Sequence, residues 1–409
     1  MAELRQNTWT LNQWYDQDVA GDAKYAAAGK LWAWGYNLYG QLGQNQSGPT
    51  ASYSSPIQIG TDTNWSKVAN NGYNNMFGMK QDGSLWAWGR NSTYIGGGSL
   101  GLNDAIDRSS PTQLPGTGWQ MTRDTFNSGY GATSAIKENG SLWIWGSNQE
   151  AQLGLPRVAP YWYYLLEYSS PVQLPGNYSK TRYGSRLSTG GALSMWGANQ
   201  FGECGQNTGP TTPMGAYSSP VQIPGTWSDF MRTNNAPYQS CSGIKSDGTL
   251  WAWGYGGEGA LGLNDRSYRS SPTQVPGTWL RCASGNQGVY QAWQKPDGSI
   301  WFAGGSTSPY INFGYPGKRS SPTQVPGTMI PSISHFVIGG QGLFLDVPNS
   351  KNYVTGPNGQ GKQGNNTTPG GYADVTYVPS VWDKFKDSGM GIDQIGNANS
   401  DSNFAIEQQ

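Results

Sequence analysis

The sequence predicts an all-β protein built from copies of one repeat, and three observations support this. A short apolar run that ends in glycine, such as Leu85–Gly89, recurs along the chain. The closing glycines stand at positions 35, 89, 146, 197, 254, 304 and 356, so the period is close to 50 residues. The chain contains 60 glycines and 25 prolines, which indicates many turns between short strands. A period of this length is typical of a solenoid, an array or a propeller and favours one domain over several.

The apolar run is the first element of each repeat. Side chains alternate along a strand, so Trp86 and Trp88 share one face while Leu85 and Ala87 share the other. Because both faces are apolar, we expect the strand to be covered on both sides by neighbouring sheets. Both tryptophans are therefore expected to fill the same gap in the core.

Turn signals surround this strand. Pairs such as Asp82-Gly83, Asn139-Gly140 and Asp247-Gly248 precede it and suit type I′ hairpins. A Ser-Ser-Pro segment follows it in six repeats, beginning at residues 54, 109, 169, 218, 270 and 320. Proline restricts such a segment to the edge of a sheet. Asn103 and Asn264 start loops in related places, and we interpret them as Asx turns.

The two ends of the chain complement each other. The strand Leu31–Trp34 has no suitable hairpin partner before it, whereas Phe404–Gln409 matches Ala135–Glu138 and stops where a turn would begin. We therefore expect the C-terminal strand to pair with the first repeat and close a ring, which removes exposed sheet edges. This divides the chain into an N-terminal segment, residues 1–28, and one repeat domain, residues 29–409.

These motifs together resemble a known repeat. A Gly-x-Leu-Trp-x-Trp-Gly strand, a Gly-Gln-Leu-Gly loop at Gly40–Gly43 and Ser-Ser-Pro-x-Gln-Val-Pro at 270–276 are similar to the regulator of chromosome condensation repeat. The resemblance implies a seven-bladed β-propeller over residues 29–409. It is less specific for function, because the founding member exchanges nucleotides on a small GTPase while other members are interaction modules. The founder's basic tail and large insertion have no counterpart here.

Composition excludes several classes of protein. Lysine plus arginine and aspartate plus glutamate number 25 each, without a basic stripe, which argues against nucleic acid as a partner. No apolar stretch reaches the roughly 18 residues of a membrane span. Cys204, Cys241 and Cys282 are too few and too widely spaced for a disulfide framework or a metal motif.

No catalytic constellation is apparent. His335 is the single histidine and lies in a strand-like run, so a nucleophile–histidine system is not indicated. Asp82, Asp247 and Asp297 occupy the same turn position in three repeats, which turn chemistry explains. The sequence therefore predicts no catalytic residue, no cofactor and no metal ligand.

Two segments rich in aromatic residues do not follow the repeat, and they are the predicted interfaces. The first lies in residues 1–28, and the second in a loop at 156–168 that is longer than its counterpart at 264–269. Aromatic residues are favoured at interface cores. The predicted contact residues are Trp9, Leu11, Trp14, Tyr15, Tyr161, Trp162, Tyr163, Tyr164, Leu165 and Leu166. Folding of the 156–168 loop back onto its own propeller is the alternative.

The N-terminal segment also resembles the start of proteins encoded by marine cyanobacterial phages. This resemblance implies a non-enzymatic virion structural protein, assembled in the host cytoplasm, in the capsid, neck or tail. Its expected partners are other virion proteins, with a host-surface glycan or receptor as a further candidate. The main alternative is a soluble interaction module that inhibits or regulates one partner protein. A carbohydrate-active enzyme is the third hypothesis.

Overall fold

The computed structural model describes the chain in segments. These are residues 29–48, 50–70, 74–92, 97–122, 124–129, 131–149, 151–155, 167–208, 216–233, 239–284, 290–305 and 317–325, together with the backbone of strands at 335–338, 342–346, 351–357, 371–377 and 402–408. Across these segments every regular element is a strand and none is a helix. The predicted all-β class is confirmed.

Five consecutive four-stranded antiparallel units follow one another along the chain, and we call them blades A to E. Blade A comprises β3 (Trp65–Asn70), β4 (Asn75–Lys80), β5 (Leu85–Gly89) and β6 (Arg108–Gln113). Blade B comprises β7 (Phe126–Gly129), β8 (Ala132–Ile136), β9 (Leu142–Ser147) and β10 (Glu167–Leu174). Blade C comprises β11 (Tyr178–Arg182), β12 (Ser185–Ser188), β13 (Leu193–Ala198) and β14 (Ala216–Ile223). Blade D comprises β15 (Trp227–Arg232), β16 (Ser240–Lys245), β17 (Thr249–Gly254) and β18 (Arg269–Thr278). Blade E comprises β19 (Arg281–Ser284), β20 (Tyr290–Gln294), β21 (Ile300–Gly304) and β22 (Arg319–Gln324).

Strands from the two ends of the described chain complete the set. Blade F has the same order, with β23 (His335–Ile338), β24 (Gly342–Asp346), β25 (Lys351–Pro357) and β26 (Gly371–Tyr377). Strand β1 (Gly29–Gly35) pairs with β2 (Tyr53–Gln58) on one side and with β27 (Ser402–Gln408) on the other. The β1–β27 register runs from Gly29 opposite Gln408 to Gly35 opposite Ser402. One further pair, Gly29 with Trp65, links this β1 sheet to blade A.

The first strand of each blade lies innermost. The first strands of blades B and C, of D and E, and of E and F contact one another. Within each blade the chain then moves outward strand by strand, so that the Ser-Ser-Pro segments form the outer edges. This is the arrangement of a β-propeller.

The third strand of each blade ends in a bulge at the closing glycine. The register between the third and fourth strands shifts just before Gly89 in blade A and just before Gly254 in blade D. Gly89 has φ 92°, and a β-carbon there would lie 2.1 Å from the carbonyl oxygen of Asn74. Only glycine fits this position, which explains why the apolar run always ends in that residue.

The second tryptophan of the run connects one blade to the next. Trp88 is fully buried, and its indole Nε1 donates to the carbonyl oxygen of Gln41, 2.8 Å away in the β1–β2 loop. The same bond recurs at later junctions, from Trp145 to Ser99 (2.9 Å), Trp196 to Gln152 (2.8 Å) and Trp253 to Glu203 (2.8 Å). The predicted core position of Trp88 is confirmed.

The opposite face of the run packs on the following blade. Leu85 and Ala87 are fully buried in a cluster that contains Trp119 and Trp145 of blade B. Trp88 instead belongs to a cluster with Leu31 and residues of the β1 sheet. The strand is therefore covered on both sides by neighbouring sheets, as its apolar pattern predicts.

Trp86 differs from Trp88 and corrects the expectation that both are core residues. Trp86 is half-buried, and its Nε1 donates to the hydroxyl of Ser84, 3.0 Å away. The Nζ of Lys80 lies 3.8 Å from the centre of its ring, which places a cation–π contact at the margin of the core. The physical reason is position along the strand, because Trp86 is nearer to the solvent-exposed hairpin.

The Ser-Ser-Pro segment binds the preceding blade, which also corrects the interpretation of the loop asparagines. Asn264 has φ 64°; its amide donates to the carbonyl of Ser320 (2.7 Å), and its Oδ1 accepts from the hydroxyl of Ser321 (2.9 Å). Asn103 makes the same two contacts with Ser169 and Ser170. Both asparagines therefore link one blade to the next. The Asx turn is formed by the residue that follows each of them, because the Oδ1 atoms of Asp104 and Asp265 accept from the backbone amides two residues further along the chain.

Blade E departs from the pattern. Ala303 replaces the second tryptophan, and the fully buried Trp293 on β20 occupies the vacated space. A β-carbon on Gly262 of blade D would lie 3.0 Å from the Trp293 ring, just as one on Gly43 would lie 3.3 Å from Trp88. In blade E the indole that fills the gap between blades therefore comes from the second strand, whereas in blades A to D it comes from the third.

We expect Trp88→Ala to lower the free energy of unfolding by about 3–5 kcal/mol, because it removes a buried aromatic ring and its inter-blade hydrogen bond. Trp86→Ala removes a half-buried ring and is expected to cost about 1–2 kcal/mol. Equilibrium denaturation in urea measures both values. Equal losses for the two variants would contradict the assigned difference in burial.

Candidate protein-interaction surface

The residues predicted as contacts lie outside the described part of the chain. Trp9, Leu11, Trp14 and Tyr15 fall within residues 1–28, and Tyr161, Trp162, Tyr163, Tyr164, Leu165 and Leu166 fall within 156–166. Their role as an interface stays a prediction. The described residues offer a separate candidate on the same kind of loop.

The two ends of the propeller differ in construction. One end, the hairpin end, carries the tight turns between second and third strands and the connections into the next blade. The other end, the loop end, carries the longer connections between third and fourth strands, such as 255–268. Long surface loops on a rigid frame are where binding residues concentrate.

Buried asparagines shape these longer loops from within. Asn91 is fully buried; its Oδ1 accepts from the amide of Leu100 (2.9 Å), and its Nδ2 donates to the carbonyl of Asp104 (2.9 Å). Asn37, Asn148 and Asn199 make equivalent pairs of bonds in their own loops. Each loop is therefore held by its own side-chain bonds and presents its outer residues from an ordered base.

An aromatic cluster of three residues stands on the loop end between blades C and D. Phe201 comes from the loop of blade C, while Tyr255 and Tyr268 come from the loop of blade D. The Phe201 ring lies edge-on to both tyrosines, at 5.1 Å from Tyr255 and 4.9 Å from Tyr268. The two tyrosine rings stack at 5.3 Å with an interplanar angle of 28°. Tyr255 is 8% exposed and supports the cluster, whereas Tyr268 is 52% exposed and presents it to solvent.

One other junction shares part of this arrangement. At the junction of the β1 sheet and blade A, the guanidinium of Arg90 lies 4.5 Å from the centre of the Tyr39 ring. Tyr39 and Phe201 occupy the same place in their loops, as do Arg90 and Tyr255. Ile106 of blade A is 63% exposed on the loop end. Exposed apolar residues on this end therefore occur at more than one blade.

A chain of charges links the innermost strands. Lys180 of blade C lies 2.8 Å from the Asp229 carboxylate of blade D and 3.5 Å from Asp124 of blade B. Asp124 also pairs with Arg182 at 2.9 Å. The second oxygen of Asp229 accepts from the backbone amide of Cys282 in blade E at 2.8 Å. These groups are satisfied by one another and stabilise the contact between blades.

A buried arginine secures the junction beneath the aromatic cluster. Arg232 is 1% exposed and donates to the side chain of Gln239 and to the carbonyls of Gly184, Trp196 and Ala198 in blade C. Cys204 and Cys241 are fully buried beside it. Burial raises the pKa of the Cys204 thiol to about 11 and holds the pKa of Cys241 well above its usual value.

The candidate catalytic groups take structural roles. Asp82 accepts from both the amide and the hydroxyl of Ser84, and that hydroxyl holds the pKa of Asp82 below its usual value. Asp247 and Asp297 make the same contacts with Thr249 and Ser299. His335 lies at the start of β23. Among the residues that the structure describes, no three histidine, cysteine, aspartate or glutamate side chains converge as a metal site.

Comparison with known proteins agrees with this architecture. The model of the regulator of chromosome condensation (RCC1) repeat matches residues 28–73 and 247–289. Two segments of this chain are therefore similar to the RCC1 repeat. Within the described ranges there is no helix long and apolar enough to cross a membrane.

Two similar proteins are a receptor and a GTPase regulator. The ultraviolet-B receptor UVR8 of Arabidopsis thaliana is 27% identical over 281 residues, covering 66% of this chain and 59% of the receptor. The X-linked retinitis pigmentosa GTPase regulator of Canis lupus familiaris is 30% identical over 154 residues, covering 36% of this chain and 15% of that protein. The chain thus spans less than two thirds of either relative.

A solved structure shows the shared fold. Yeast RCC1 (Prp20), in its complex with Kap60, superposes with a TM-score of 0.68 at 13% identity, covering 95% of this chain and 92% of that one. An RCC1-like propeller fold is therefore shown for this chain.

We expect Cys204 and Cys241 to resist a thiol reagent at neutral pH in the folded protein. Their raised pKa values keep the thiols protonated, and burial denies access. Peptide mass spectrometry after iodoacetamide treatment, with and without denaturant, measures the modification of each residue. Rapid labelling in the native protein would show that the junction between blades C and D opens readily.

Proposed function

We propose that the chain is a non-enzymatic propeller that binds a partner protein through the loop end. The observation that carries this proposal is the aromatic cluster of Phe201, Tyr255 and Tyr268. Tyrosine is enriched at the energetic centres of protein interfaces because it buries a large rigid ring and keeps a polar tip. An exposed ring held by two partners is ordered before binding, which reduces the entropy lost on association.

The frame beneath the cluster supports this role. Arg232 and the Trp253–Glu203 bond hold blades C and D together below the aromatic rings. The two loops that contribute the cluster therefore keep a constant relative position. A surface shared by two loops of a rigid frame suits recognition of one partner.

The comparisons support the same class of function. In one solved complex, yeast RCC1, a protein of this fold, is bound to Kap60. The relatives are a receptor and a GTPase regulator. These proteins favour a regulatory interaction module over the virion role, and the identity of this chain's partner is open to experiment.

The finer architecture is part of the proposal. We infer seven blades closed into a ring, with β27, β1 and β2 as three strands of the seventh blade. The sequence Val378-Pro379-Ser380-Val381-Trp382 repeats the pattern of Val275–Trp279, which precedes the innermost strand of blade E. That segment lies outside the described residues.

Ring closure is tested by a disulfide between β1 and β27. Lys30 and Glu407 are direct partners, so Lys30→Cys with Glu407→Cys is expected to cross-link under mild oxidation. Lys30→Cys with Ser402→Cys is the matched control, because Ser402 pairs with Gly35 at the other end of β1. A cross-link in the control pair at the same rate, or in neither pair, would contradict the assigned closure.

The interaction itself is tested on Tyr268. We expect Tyr268→Ser to reduce capture of the partner at least tenfold in quantitative co-purification from the cells that produce the chain. Leu280→Ser is the control, because Leu280 is similarly exposed, at 49%, but follows Trp279 at the hairpin end. Loss of capture by the Leu280 variant alone would move the interface to the other end.

The virion role and virion localisation stay predictions, carried by the resemblance of residues 1–28. Mass spectrometry of purified particles tests them, and absence of the chain from particles would refute both. The contacts predicted for residues 1–28 and 161–166 are tested by the same co-purification with those segments replaced by serine and glycine.

A further inference from the structure

A groove of about 550 Å³ runs along the outer rim between blades D and E. Arg269 and Asn264 lie at its loop end, Gln274 lies along its side, and Trp279, Trp301 and Lys295 lie at its hairpin end. The stretch of β18 from Arg269 to Pro276 spans roughly 20 Å at the usual rise of a strand. The groove is therefore long and open, which suits an extended chain rather than a compact molecule.

The side chains that line this groove recur as a set between blades A and B, which we call the second groove. Arg108, Asn103 and Gln113 stand where Arg269, Asn264 and Gln274 stand in the first groove, and Trp119, Trp143 and Lys137 complete the set. The geometry also agrees. The arginines pair with Asp104 and Asp265 at 2.5 Å each, and the indole pairs lie 6.1 and 6.3 Å apart.

The junction between blades C and D lacks part of this set and serves as an internal control. Trp251 and Lys245 are present, with Lys245 Nζ 4.0 Å from the Trp251 ring centre. However, three residues of the D–E groove are replaced at this junction. Tyr217 stands in the place of Arg269, Val221 in the place of Thr273, and Gln206 in the place of Leu263. The lysine and indole are thus common to all three junctions, whereas the guanidinium belongs to two.

The lysine of each complete groove is a cation without a bonded anion among the described residues. Lys137 Nζ lies 4.2 Å from the Trp119 ring centre and 4.9 Å from that of Trp143, and burial lowers its pKa. Lys295 Nζ lies 4.0 Å from the Trp301 ring centre. Asp297 is near Lys295, but its Oδ1 accepts from the amide and hydroxyl of Ser299. Lys80 of blade A, in contrast, pairs with Asp62 at 2.9 Å.

We propose that these two grooves bind an acidic saccharide chain, with uronate carboxylates at the lysines and sugar rings against the half-buried indoles of Trp143 and Trp301. The C–H face of a pyranose ring packs on the negative face of an indole. Planar amide and guanidinium groups match vicinal hydroxyls, and an ammonium group bonds a carboxylate.

An extended peptide fits the groove less well. Peptides that add to a sheet edge use a row of backbone hydrogen bonds. Pro272 and Pro276 interrupt that row on β18 because proline has no N–H group, and a bulge shifts the register near Gly254. A saccharide needs no such backbone row, since side chains make its contacts.

Isothermal titration calorimetry with tetragalacturonate tests the proposal on the full chain. We expect two equivalent sites in the natural protein, one site in Lys137→Gln, and an at least tenfold loss of affinity in the Lys137→Gln/Lys295→Gln double variant. Lys245→Gln, which removes the equivalent lysine from the junction without the arginine, is expected to keep both sites. Unchanged thermal unfolding of each variant shows that its fold is intact.

Three results would overturn the proposal. The first is no binding of tetragalacturonate at millimolar concentration. The second is equal affinity for the neutral cellotetraose or for a tetraglutamate peptide, since either would show that the grooves do not select an acidic saccharide. The third is loss of binding in Lys245→Gln to the same extent as in the double variant. None of these results bears on partner capture by Tyr268, which stands at the loop end.

Discussion

The structure depends on one contact that blades A to D each make with the unit before them. The indole of the second tryptophan fills the gap between two sheets, and its Nε1 donates to a loop carbonyl of the preceding blade, as Trp88 does to Gln41 at 2.8 Å. A glycine of that loop makes room for the ring; a β-carbon on Gly101 would lie 2.9 Å from the Nε1 of Trp145. The bond is sheltered from water, so leaving either group unpaired would cost about 1–3 kcal/mol. The tryptophan, the loop carbonyl and the loop glycine therefore form one contact between neighbouring blades.

The remaining motifs of the repeat also hold neighbouring blades together. The Ser-Ser-Pro segment receives the positive-φ asparagine of the preceding loop, and the closing glycine allows the bulge that brings that loop into place. Arg232 adds a guanidinium that donates to three carbonyls of blade C. Because most motifs of the repeat hold blades together, the surfaces proposed for binding differ between blades at residues that vary from repeat to repeat. Tyr268 stands where blade A has Asp107, and the arginines of the two rim grooves stand where blade C has Tyr217.

Much of the frame was predictable from sequence. The repeat period, the Asp-Gly turns and the apolar run led to the strands, the hairpins and the buried place of Trp88. The loop asparagines were misinterpreted, because an Asx turn is a local pattern whereas the clasp from Asn264 to Ser321 joins residues 57 positions apart. The burial of Trp86 was overestimated, because the alternation of side chains along a strand predicts which face a residue lies on but not how far it is buried. The aromatic cluster was missed, although aligning the repeats would have marked Phe201, Tyr255 and Tyr268 as a coincidence of aromatic residues in adjacent loops.

The sequence by itself determined the fold class, the repeat unit and the positions of the apolar, hairpin and Ser-Ser-Pro strands, because turn chemistry and side-chain alternation act between residues close together in the chain. Only the tertiary structure decided which residues of different blades meet. Trp293 shows the distinction. Its strand is evident from sequence, but its role as the substitute for the tryptophan missing at Ala303 depends on the shape of the gap left by blade D. The space that a side chain fills between two blades is shaped by residues of both blades, so the sequence of one repeat does not determine it.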